Sequence, residues 1–317
     1  MLQTFKTGQE LLQAVRDLSF DFTRETALSQ LPREAAALFD QDGKRFRPAL
    51  CFLFGQVHGL SPAELAPYAR AVEMTHTASL VHDDVIDEAH ERRRLPTLNH
   101  RYGNTTAVLA GDFLLAKVIG DLAAHAPTHA LVGLTEAIKE LADGEWLQHG
   151  LKVRFSATRA ELETVARKKT GALMGWACAT PAALAGAKGE HIMRAYELGC
   201  DIGLFFQILD DVNDFNVRSG KPFAQDLRVG QLNTVTVAYL EESPRDLARL
   251  RAYRDDSSVM APEEFHSAIR LVHAQAIALE QNLSARFLSL FPGHAPEAEV
   301  FGKMLEKVRE GFLPDGV

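Results

Sequence analysis

Apolar residues recur along most of the chain at three- and four-residue spacing. Near the N-terminus Leu11, Val15, Leu18 and Phe22 follow it, and such spacing gives an α-helix one apolar face. Similar stripes predict further helices over residues 64–90, 105–124, 130–148, 159–185, 190–215 and 262–290. Alternating runs are nearly absent, and we interpret the one at 234–240 as the buried start of a helix, because packing easily overrides β-branched propensity. The pattern predicts an all-α protein.

Turn residues cluster between these stripes. The clusters lie at 58–62, 92–96, 125–129, 217–222, 255–262 and 291–296. They indicate loops between helices, and none is long enough to divide two domains. We therefore expect a single helical bundle over residues 1–317. Ser61, followed by Pro62 and Glu64, predicts a helix start.

Composition narrows the class of protein. Of 317 residues, 46% are apolar and 24% charged, which is ordinary for a folded globular chain with a sizeable core. Lys and Arg total 34 against 42 Asp and Glu, a net charge of −8. Such a field repels polyanions and argues against nonspecific nucleic-acid binding. Any phosphate must be held by local clusters.

Cysteine usage and hydropathy bear on the compartment. The three cysteines are widely spaced without a CxxC pair, so we expect neither a disulfide framework nor a zinc knuckle. We see no signal-peptide pattern and no uncharged apolar run of the roughly 18 residues that a membrane span needs. These features predict a cytoplasmic protein without a membrane span.

A first acidic segment, HDDVIDE, occupies residues 82–88 within a helical stripe. On a helix Asp83 and Asp87 lie one turn apart, about 5–6 Å between Cβ atoms, and with Asp84 they can bind one hard cation. A single cluster of this kind is about as well explained by a solvated acidic face. Apolar neighbours such as Ile86 favour a buried helix, where carboxylates need a cation.

A second segment repeats the DDxxD pattern at residues 210–214, which contain Asp210, Asp211 and Asp214. Two matching segments facing one another across a bundle would offer carboxylate oxygens to two or three Mg²⁺ ions, which accept substrate phosphates. Chance explains the pair poorly. By contrast, the acidic pair at 255–256 lacks a third acid and predicts a loop or helix cap.

Two basic clusters stand out in this acidic chain, GKRFRP at 43–48 and the arginines at 92–94. Lysine as a point charge and arginine as a bidentate fork bind terminal phosphates. The clusters are thus candidates for a second, metal-free diphosphate site. Each cluster alone is more typical of a solvated basic loop.

Together these residues resemble the trans-isoprenyl diphosphate synthases, or polyprenyl synthetases, which include farnesyl, geranylgeranyl and longer-chain synthases. The matching segments, in the family's order, are GKRFRP, MTHTASLVHDDVIDEAHERR, AGDFLLA, KKTGAL, FFQILDDVNDF, SGKPF and QDL. The resemblance implies an isoprenoid-synthase bundle with a central active-site cavity. It also implies aspartate motifs on opposing helices and assembly as a homodimer.

The resemblance also implies roles for individual residues. The Mg²⁺ and allylic diphosphate site would comprise Asp83, Asp84, Asp87, Asp210, Asp211 and Asp214. Isopentenyl diphosphate would be bound by Lys44, Arg47, His76 and Arg93. Further contacts to the allylic diphosphate would come from Arg92, Lys169, Thr170, Gln207 and Lys221. Arg92 and Lys169 would also stabilise the departing diphosphate. Outside this pattern, His76 and Gln207 would be ordinary buried polar groups.

The implied reaction ionises the allylic carbon–oxygen bond, alkylates the cation with isopentenyl diphosphate, and ends with loss of a proton. Product length should depend on the helix before the first acidic segment. Ala78 and Ser79 are small there, where short-chain members carry aromatic rings. We therefore expect a geranylgeranyl or longer product, with Met74, Thr75 or residues from facing helices forming the floor of the cavity.

Two departures from the family pattern leave an alternative open. Arg94 stands where glycine is usual, and Gln231 where lysine is usual. The chain could therefore be a noncatalytic or weakly active diphosphate-binding partner subunit. A terpene cyclase is disfavoured by GKRFRP and the second DDxxD. A di-iron bundle would need Glu-x-x-His pairs, and none is suitably placed.

Overall fold

The structure, a computed structural model, describes residues 8–18, 45–92, 95–216 and 222–312. Over these residues the chain is predominantly helical, which confirms the all-α class. The first helices are α1 (Gly8–Asp17), α2 (Phe46–Val57), α3 (Pro62–Ile86), α4 (Leu98–Tyr102), α5 (Asn104–His125), α6 (Thr128–Arg154) and α7 (Arg159–Ala166). They are followed by α8 (Ala172–Leu184), α9 (Gly189–Asp214), α10 (Gln225–Arg228), α11 (Thr234–Glu242), α12 (Leu247–Tyr253), α13 (His266–Leu290) and α14 (Ala295–Phe312).

Shorter elements lie between these helices. Strands β1 (Glu91–Arg92) and β2 (Leu95–Pro96) pair antiparallel, with Arg92 opposite Leu95. A π-helical turn, Arg167–Gly171, joins α7 to α8. The 3₁₀ turns are Pro244–Asp246, Ser257–Val259 and Pro262–Phe265. In the second of these, the Asp256 carboxylate accepts a hydrogen bond from Ser258 N at 2.9 Å, which confirms the predicted cap.

The chain divides into two compact units. Unit one falls within residues 1–136 and 176–193, and unit two within 137–175 and 194–317. The expectation of one domain over 1–317 stays a prediction. No helix among the described residues combines the length and the apolar character needed to cross a lipid bilayer.

In unit one, α3 packs against α2 and α5. The predicted start of α3 is confirmed, because the Ser61 hydroxyl accepts from Glu64 N and the Glu64 carboxylate accepts from Ser61 N at 2.9 Å. Gly111 allows α5 to approach α3 closely, since a Cβ there would lie 2.3 Å from His82 Nε2. This contact fixes α3 just before its acidic end.

In unit two, α11 packs on α13 and α13 on α14. The run at 234–240 is helical and buried, as predicted. Asn233 caps α11 by accepting a hydrogen bond from Thr236 N at 3.1 Å. Phe265 packs beside the ring of Tyr239, with centroids 5.1 Å apart. Packing therefore outweighs the β-branched propensity of this segment.

Four glycines let α9 cross the π-helical turn and α8 at close range. A Cβ on Gly203 would lie 2.3 Å from Gly171 Cα, and one on Gly199 would lie 2.6 Å from Gly175 Cα. Backbones can approach this closely only where side chains are absent. The crossing places the residues just before Gly171 against the C-terminal half of α9.

The end of α3 differs from the expectation. The apolar stripe predicted a helix through residue 90, but α3 ends at Ile86 with Asp87 as its C-cap. Ile86 is 58% exposed, so the expectation that apolar neighbours bury this segment all round was wrong for Ile86. Because the helix stops there, its last turn opens towards solvent.

Candidate active site

The first acidic segment occupies the last turn of α3. Asp84 is buried, Asp83 half-buried and Asp87 exposed. Asp87 N donates to Asp83 O at 2.8 Å, which places these residues one helical turn apart as predicted. Two of the three carboxylates thus retain access to solvent, and the third points into the protein.

Asp84 is neutralised by Arg92. The Arg92 Nε and Nη2 atoms lie 2.9 and 2.8 Å from Asp84 Oδ1. Asn99 Nδ2 donates to the main-chain oxygen of Asp84 at 3.0 Å and to Ala89 O at 3.2 Å, which holds the turn between α3 and β1. Arg92, predicted to contact a diphosphate, is therefore engaged by a carboxylate in this conformation.

Of the first basic cluster, the structure describes Arg45 onward. Arg45 has a left-handed backbone (φ 44°), and its Nη1 donates to Val15 O at 3.2 Å and Leu18 O at 3.1 Å. It therefore caps the end of α1. Arg47 is half-buried on α2.

Of the other residues predicted to bind the two diphosphates, the structure describes His76 but not the remaining cations of the basic clusters or Lys221. His76 is half-buried on α3. Lys44, Arg93 and Lys221, together with Arg94, lie outside the described residues. Their predicted roles stay predictions.

The second acidic segment ends α9. Asp210 is exposed, whereas Asp211 and Asp214 are buried. Asp211 Oδ1 accepts from Gln207 Nε2 at 2.9 Å, and its Oδ2 accepts from Thr234 N at 2.9 Å and Thr234 Oγ1 at 2.8 Å. Neutral donors from α9 and α11 therefore orient this carboxylate.

Asp214 is held by the start of α10. Its Oδ1 accepts from Gln225 N at 3.0 Å and its Oδ2 from Asp226 N at 3.1 Å. The Asp226 carboxylate in turn accepts from Asn233 Nδ2 at 3.1 Å. Sequence reasoning missed Asp226 as part of this group, although it lies in the QDL segment.

Negative charge accumulates around these residues. Burial, followed by the nearby charge of Asp226, raises the pKa of Asp211 from 3.8 to about 7. Burial and Asp226 also raise the pKa of Asp214 to about 7, with Asp210 adding to the effect. Buried carboxylates with raised pKa values gain from a nearby cation.

The carboxylate oxygens of these aspartates are chemically suited to bind a divalent cation. Carboxylate oxygens are the ligands that Mg²⁺ prefers, and Mg²⁺ keeps several waters. Among the described residues, no three His, Cys, Asp or Glu side chains are already arranged around a metal position. Both oxygens of Asp211 and of Asp214 accept bonds from the protein, but a carboxylate has further lone pairs. A metal would thus be bound through few direct protein ligands.

The π-helical turn brings Thr170 to the second acidic segment. Thr170 Oγ1 lies 3.4 Å from Gln207 Oε1, and Gln207 continues the chain to Asp211. Lys169 forms an ion pair with Glu145 of α6. The structure thus groups Lys169, Thr170 and Gln207 in unit two, and π-helical turns are frequent at functional sites.

A pocket adjoins Asp211 in unit two. Its polar lining comes from Gln148, Gln207, Asp211, Gln231 and Thr234, and its apolar lining includes Leu204. Gln148 Nε2 donates to Gln231 Oε1 at 2.7 Å. Sequence reasoning missed Gln148 and Glu145. Their three-residue spacing on one helix face was the available signal.

The predicted chain-length residues lie in the middle of α3. Ala78 has no exposed surface, and Ser79 is half-buried with its Oγ donating to His76 O at 2.8 Å. Thr75 is 1% exposed, and its hydroxyl has no hydrogen-bond partner among the described residues.

Comparison with known proteins identifies the family. The polyprenyl synthetase model matches residues 29–272. A prenyl transferase of Synechocystis sp. is 38% identical over 219 residues, 66% of this chain and 67% of that protein. Heptaprenyl diphosphate synthase component 2 of Geobacillus stearothermophilus is 33% identical over 261 residues, 81% of each chain. The crystal structure of a decaprenyl diphosphate synthase from Rhodobacter capsulatus has a TM-score of 0.82 at 26% identity, covering 96% of this chain and 97% of that one.

The all-α fold and these relatives define the enzyme class as prenyltransferase. The chain belongs to the polyprenyl synthetase family. The resemblance that the sequence motifs indicated is thereby confirmed.

Proposed function

We propose that the chain condenses isopentenyl diphosphate with an allylic diphosphate, releasing diphosphate and a longer all-trans polyprenyl diphosphate. One observation carries this proposal. In a chain of this family, two buried aspartates of the second DDxxD segment, Asp211 and Asp214, lie in an excess of negative charge with raised pKa values. Thr170 and Gln207 are linked to the same group.

The metal proposed for this site is Mg²⁺, as two or three ions. The residues proposed to hold it are Asp83, Asp84, Asp87, Asp210, Asp211 and Asp214. Bound Mg²⁺ would supply Lewis-acid stabilisation of charge on the diphosphate. The exposed Asp210 and Asp87 are the most accessible of these carboxylates. Asp211 and Asp214 are oriented by neutral donors and would act mainly by adding charge.

The protein's own cations are proposed to bind and orient the two diphosphates. Lys44, Arg47, His76 and Arg93 would hold isopentenyl diphosphate. Arg92, Lys169, Thr170, Gln207 and Lys221 would hold the allylic diphosphate. Arg92 and Lys169 are paired with Asp84 and Glu145, so a bound diphosphate would compete with those carboxylates. Once released from these carboxylates, both cations would stabilise the departing charge, which lowers the barrier to ionisation.

The proposed product is geranylgeranyl or longer. Small side chains at Ala78 and Ser79 support this, as do the heptaprenyl and decaprenyl synthases among the relatives.

The proposed partner is a second copy of the chain. Exposed apolar side chains on α6, Trp146 at 75% and Val153 at 72%, are compatible with such a contact.

The proposed compartment is the cytoplasm. Cys51, Cys178 and Cys200 are buried, and no disulfide joins them. This arrangement suits a reducing environment.

The alternative is a noncatalytic or weakly active partner subunit. Gln231, which replaces the usual lysine, favours it. The relative named as component 2 of a heptaprenyl diphosphate synthase is, by its name, one part of an enzyme with more than one component. The two proposals differ in whether the purified chain turns over alone.

One assay tests both. The purified chain is incubated with Mg²⁺, labelled isopentenyl diphosphate and an allylic primer, and diphosphate release is measured with and without chelator. We expect Mg²⁺-dependent release by the chain alone. Its absence at all primer lengths would favour the partner subunit. A matched Asp210→Asn variant should lose most of the activity if the second acidic segment binds the metal.

A further inference from the structure

A hydrogen bond between two glutamine side chains joins α6 to the turn before α11. Gln148 Nε2 donates to Gln231 Oε1 at 2.7 Å, and both side chains are half-buried. Both also line the pocket beside Asp211. The bond spans 83 residues of sequence, so it ties two distant segments of unit two together.

The turn that carries Gln231 is connected to Asp211 through hydrogen bonds from Thr234. Gln231 N donates to Asp226 O at 2.9 Å. Three residues later, Thr234 donates to Asp211 Oδ2 through both its N and its Oγ1. A shift of this turn would therefore move both Thr234 donors to Asp211 Oδ2, while Gln207 on α9 continues to donate to Oδ1.

α6 contacts the candidate site at a second point on the same face. Glu145 lies three residues before Gln148 and pairs with Lys169. Side chains three apart on a helix are neighbours. α6 therefore touches both the lysine proposed for the diphosphate and the turn that orients Asp211.

We propose that Gln148 and Gln231 are positioning residues for the second acidic segment, acting through Thr234 on Asp211. The inference rests on the proposed function, because positioning of Asp211 matters only if this segment binds metal and diphosphate. In the observed bond Gln231 accepts through its carbonyl oxygen. A lysine has no acceptor and could not make it. The amide pair orients the turn without adding a cation.

The test measures binding rather than turnover. Inorganic pyrophosphate is titrated calorimetrically into the full chain at fixed Mg²⁺ for Gln148→Ala, Gln231→Ala and the double variant. Loss of a hydrogen bond of typical strength should weaken binding about two- to tenfold. The double variant should bind pyrophosphate no more weakly than whichever single variant has the lower affinity, because both changes remove the same contact.

A matched control and a rescue separate positioning from folding. Gln275→Ala removes a comparable half-buried glutamine, which accepts from Arg159 Nη1 at 2.7 Å on α13, and pyrophosphate binding should be unchanged. Gln231→Glu keeps an acceptor for Gln148 Nε2 without adding a cation, and it should retain most of the affinity that Gln231→Ala loses. Thermal midpoints of all variants are measured in parallel.

Unchanged pyrophosphate binding in both alanine variants, or fully additive losses in the double variant, would overturn the inference. The inference would also be overturned if the losses of pyrophosphate affinity scaled with the fall in thermal midpoint and also occurred in Gln275→Ala. If the wild-type chain shows no turnover but the coupled binding losses occur, the inference stands and the proposed activity fails. If the wild-type chain turns over and the variants bind normally, only the inference fails. Absence of Mg²⁺-dependent binding by the wild-type chain overturns both.

Discussion

At the scale of single residues, the chain stabilises buried carboxylates in two different ways. Asp84 receives a full counter-charge from Arg92. Among the residues that the structure describes, Asp211 and Asp214 accept from neutral N–H and O–H donors, and Asp226 adds further negative charge. A charged partner compensates the loss of hydration better than neutral donors do. A bound cation would therefore stabilise the buried carboxylates of the second acidic segment more than it would stabilise Asp84.

The Asp84–Arg92 pair leads to a prediction on stability. Replacing Arg92 by Ala leaves the Asp84 carboxylate, 8% exposed, without its cation. We expect a loss of about 1–3 kcal/mol in the free energy of unfolding, because hydrogen bonds to charged groups are lost while the Arg92 site is partly solvated. Urea denaturation at neutral pH measures it.

Two further variants check the origin of this loss. Arg101→Ala, which removes an exposed arginine beside Tyr102, should change stability by less than about 0.5 kcal/mol. Asp84→Asn combined with Arg92→Ala should cost less than the sum of the single changes. Additive losses would mean that the pair contributes no coupling.

The raised pKa values of Asp211 and Asp214 predict a pH dependence of the metal-free chain. Their pKa of about 7 exceeds the ordinary 3.8 of an unfolded aspartate. Between these values the folded state retains protons that the unfolded state releases. Stability from these groups is therefore fully present below about pH 4 and is lost as pH rises through 7, by up to about 1.4 kcal/mol for each pKa unit.

Denaturation at pH 5 and pH 8 in chelator tests this sign. We expect the free energy of unfolding of the wild-type chain to fall from pH 5 to pH 8. Asp211→Asn and Asp214→Asn should each reduce this fall, because each variant removes one of the titrating groups. Mg²⁺ with pyrophosphate should stabilise the wild-type chain more at pH 8, where the carboxylates are ionised. A wild-type slope that both variants retain would contradict the assignment.

At the scale of elements, periodicity predicted most helices because each buries one apolar face. The stripe at 105–124 became α5 (Asn104–His125), and the run at 234–240 became part of α11. Periodicity did not predict the π-helical turn Arg167–Gly171, because its extra residue shifts the apolar stripe by a single position, which the mixed three- and four-residue spacing of a helix conceals. It also overran the end of α3, since Ile86 continues the stripe although it is exposed.

The candidate site was predictable to a similar, partial extent. Motif spacing identified the aspartates, and the family resemblance grouped Thr170 and Gln207 with them. The partners of Asp211 and Asp214 were not predictable, because Thr234 donates partly through its backbone and Asp214 accepts from backbone N–H groups. Any residue type supplies such donors, so the sequence carries no mark of them.

The glycine crossing of α9 leads to a prediction at this scale. In Gly203→Ala the new Cβ would lie 2.3 Å from Gly171 Cα and 2.5 Å from Gly171 N. The helices must separate, and we expect a loss of about 1–3 kcal/mol in the free energy of unfolding. Separation would also weaken the Thr170–Gln207 contact, so pyrophosphate affinity should fall.

Gly150→Ala in α6 is the matched control, because a Cβ there meets nothing within 4 Å. It should stabilise the chain by about 0.5–1 kcal/mol through helix propensity alone. Chemical denaturation of both variants is the measurement. Equal effects of the two substitutions would show that close helix approach at Gly203 carries no energetic weight.

At the scale of the whole molecule, a net charge of −8 opposes the approach of anionic substrates. Several described cations are moreover already paired with carboxylates, as Lys169 is with Glu145 and Arg92 with Asp84. Such a chain should bind pyrophosphate weakly without a divalent cation, because the metal must offset the charge of both partners. Substrate recognition and metal binding are therefore expected to be thermodynamically coupled.

Product length provides the last prediction. If small residues on α3 leave room for chain growth, Ser79→Phe should shorten the product, because Ser79 retains exposed surface that a ring can replace. Ala78→Phe should instead cost about 1–3 kcal/mol in stability through overpacking, since Ala78 is fully buried. Ala63→Phe places a ring on an exposed position of the same helix, about 30 Å from Asp83, and should leave product length unchanged. Mass analysis of products from a fifteen-carbon primer reads the Ser79 and Ala63 variants, and chemical denaturation reads Ala78→Phe. A wild-type product no longer than that primer would refute the long-chain assignment.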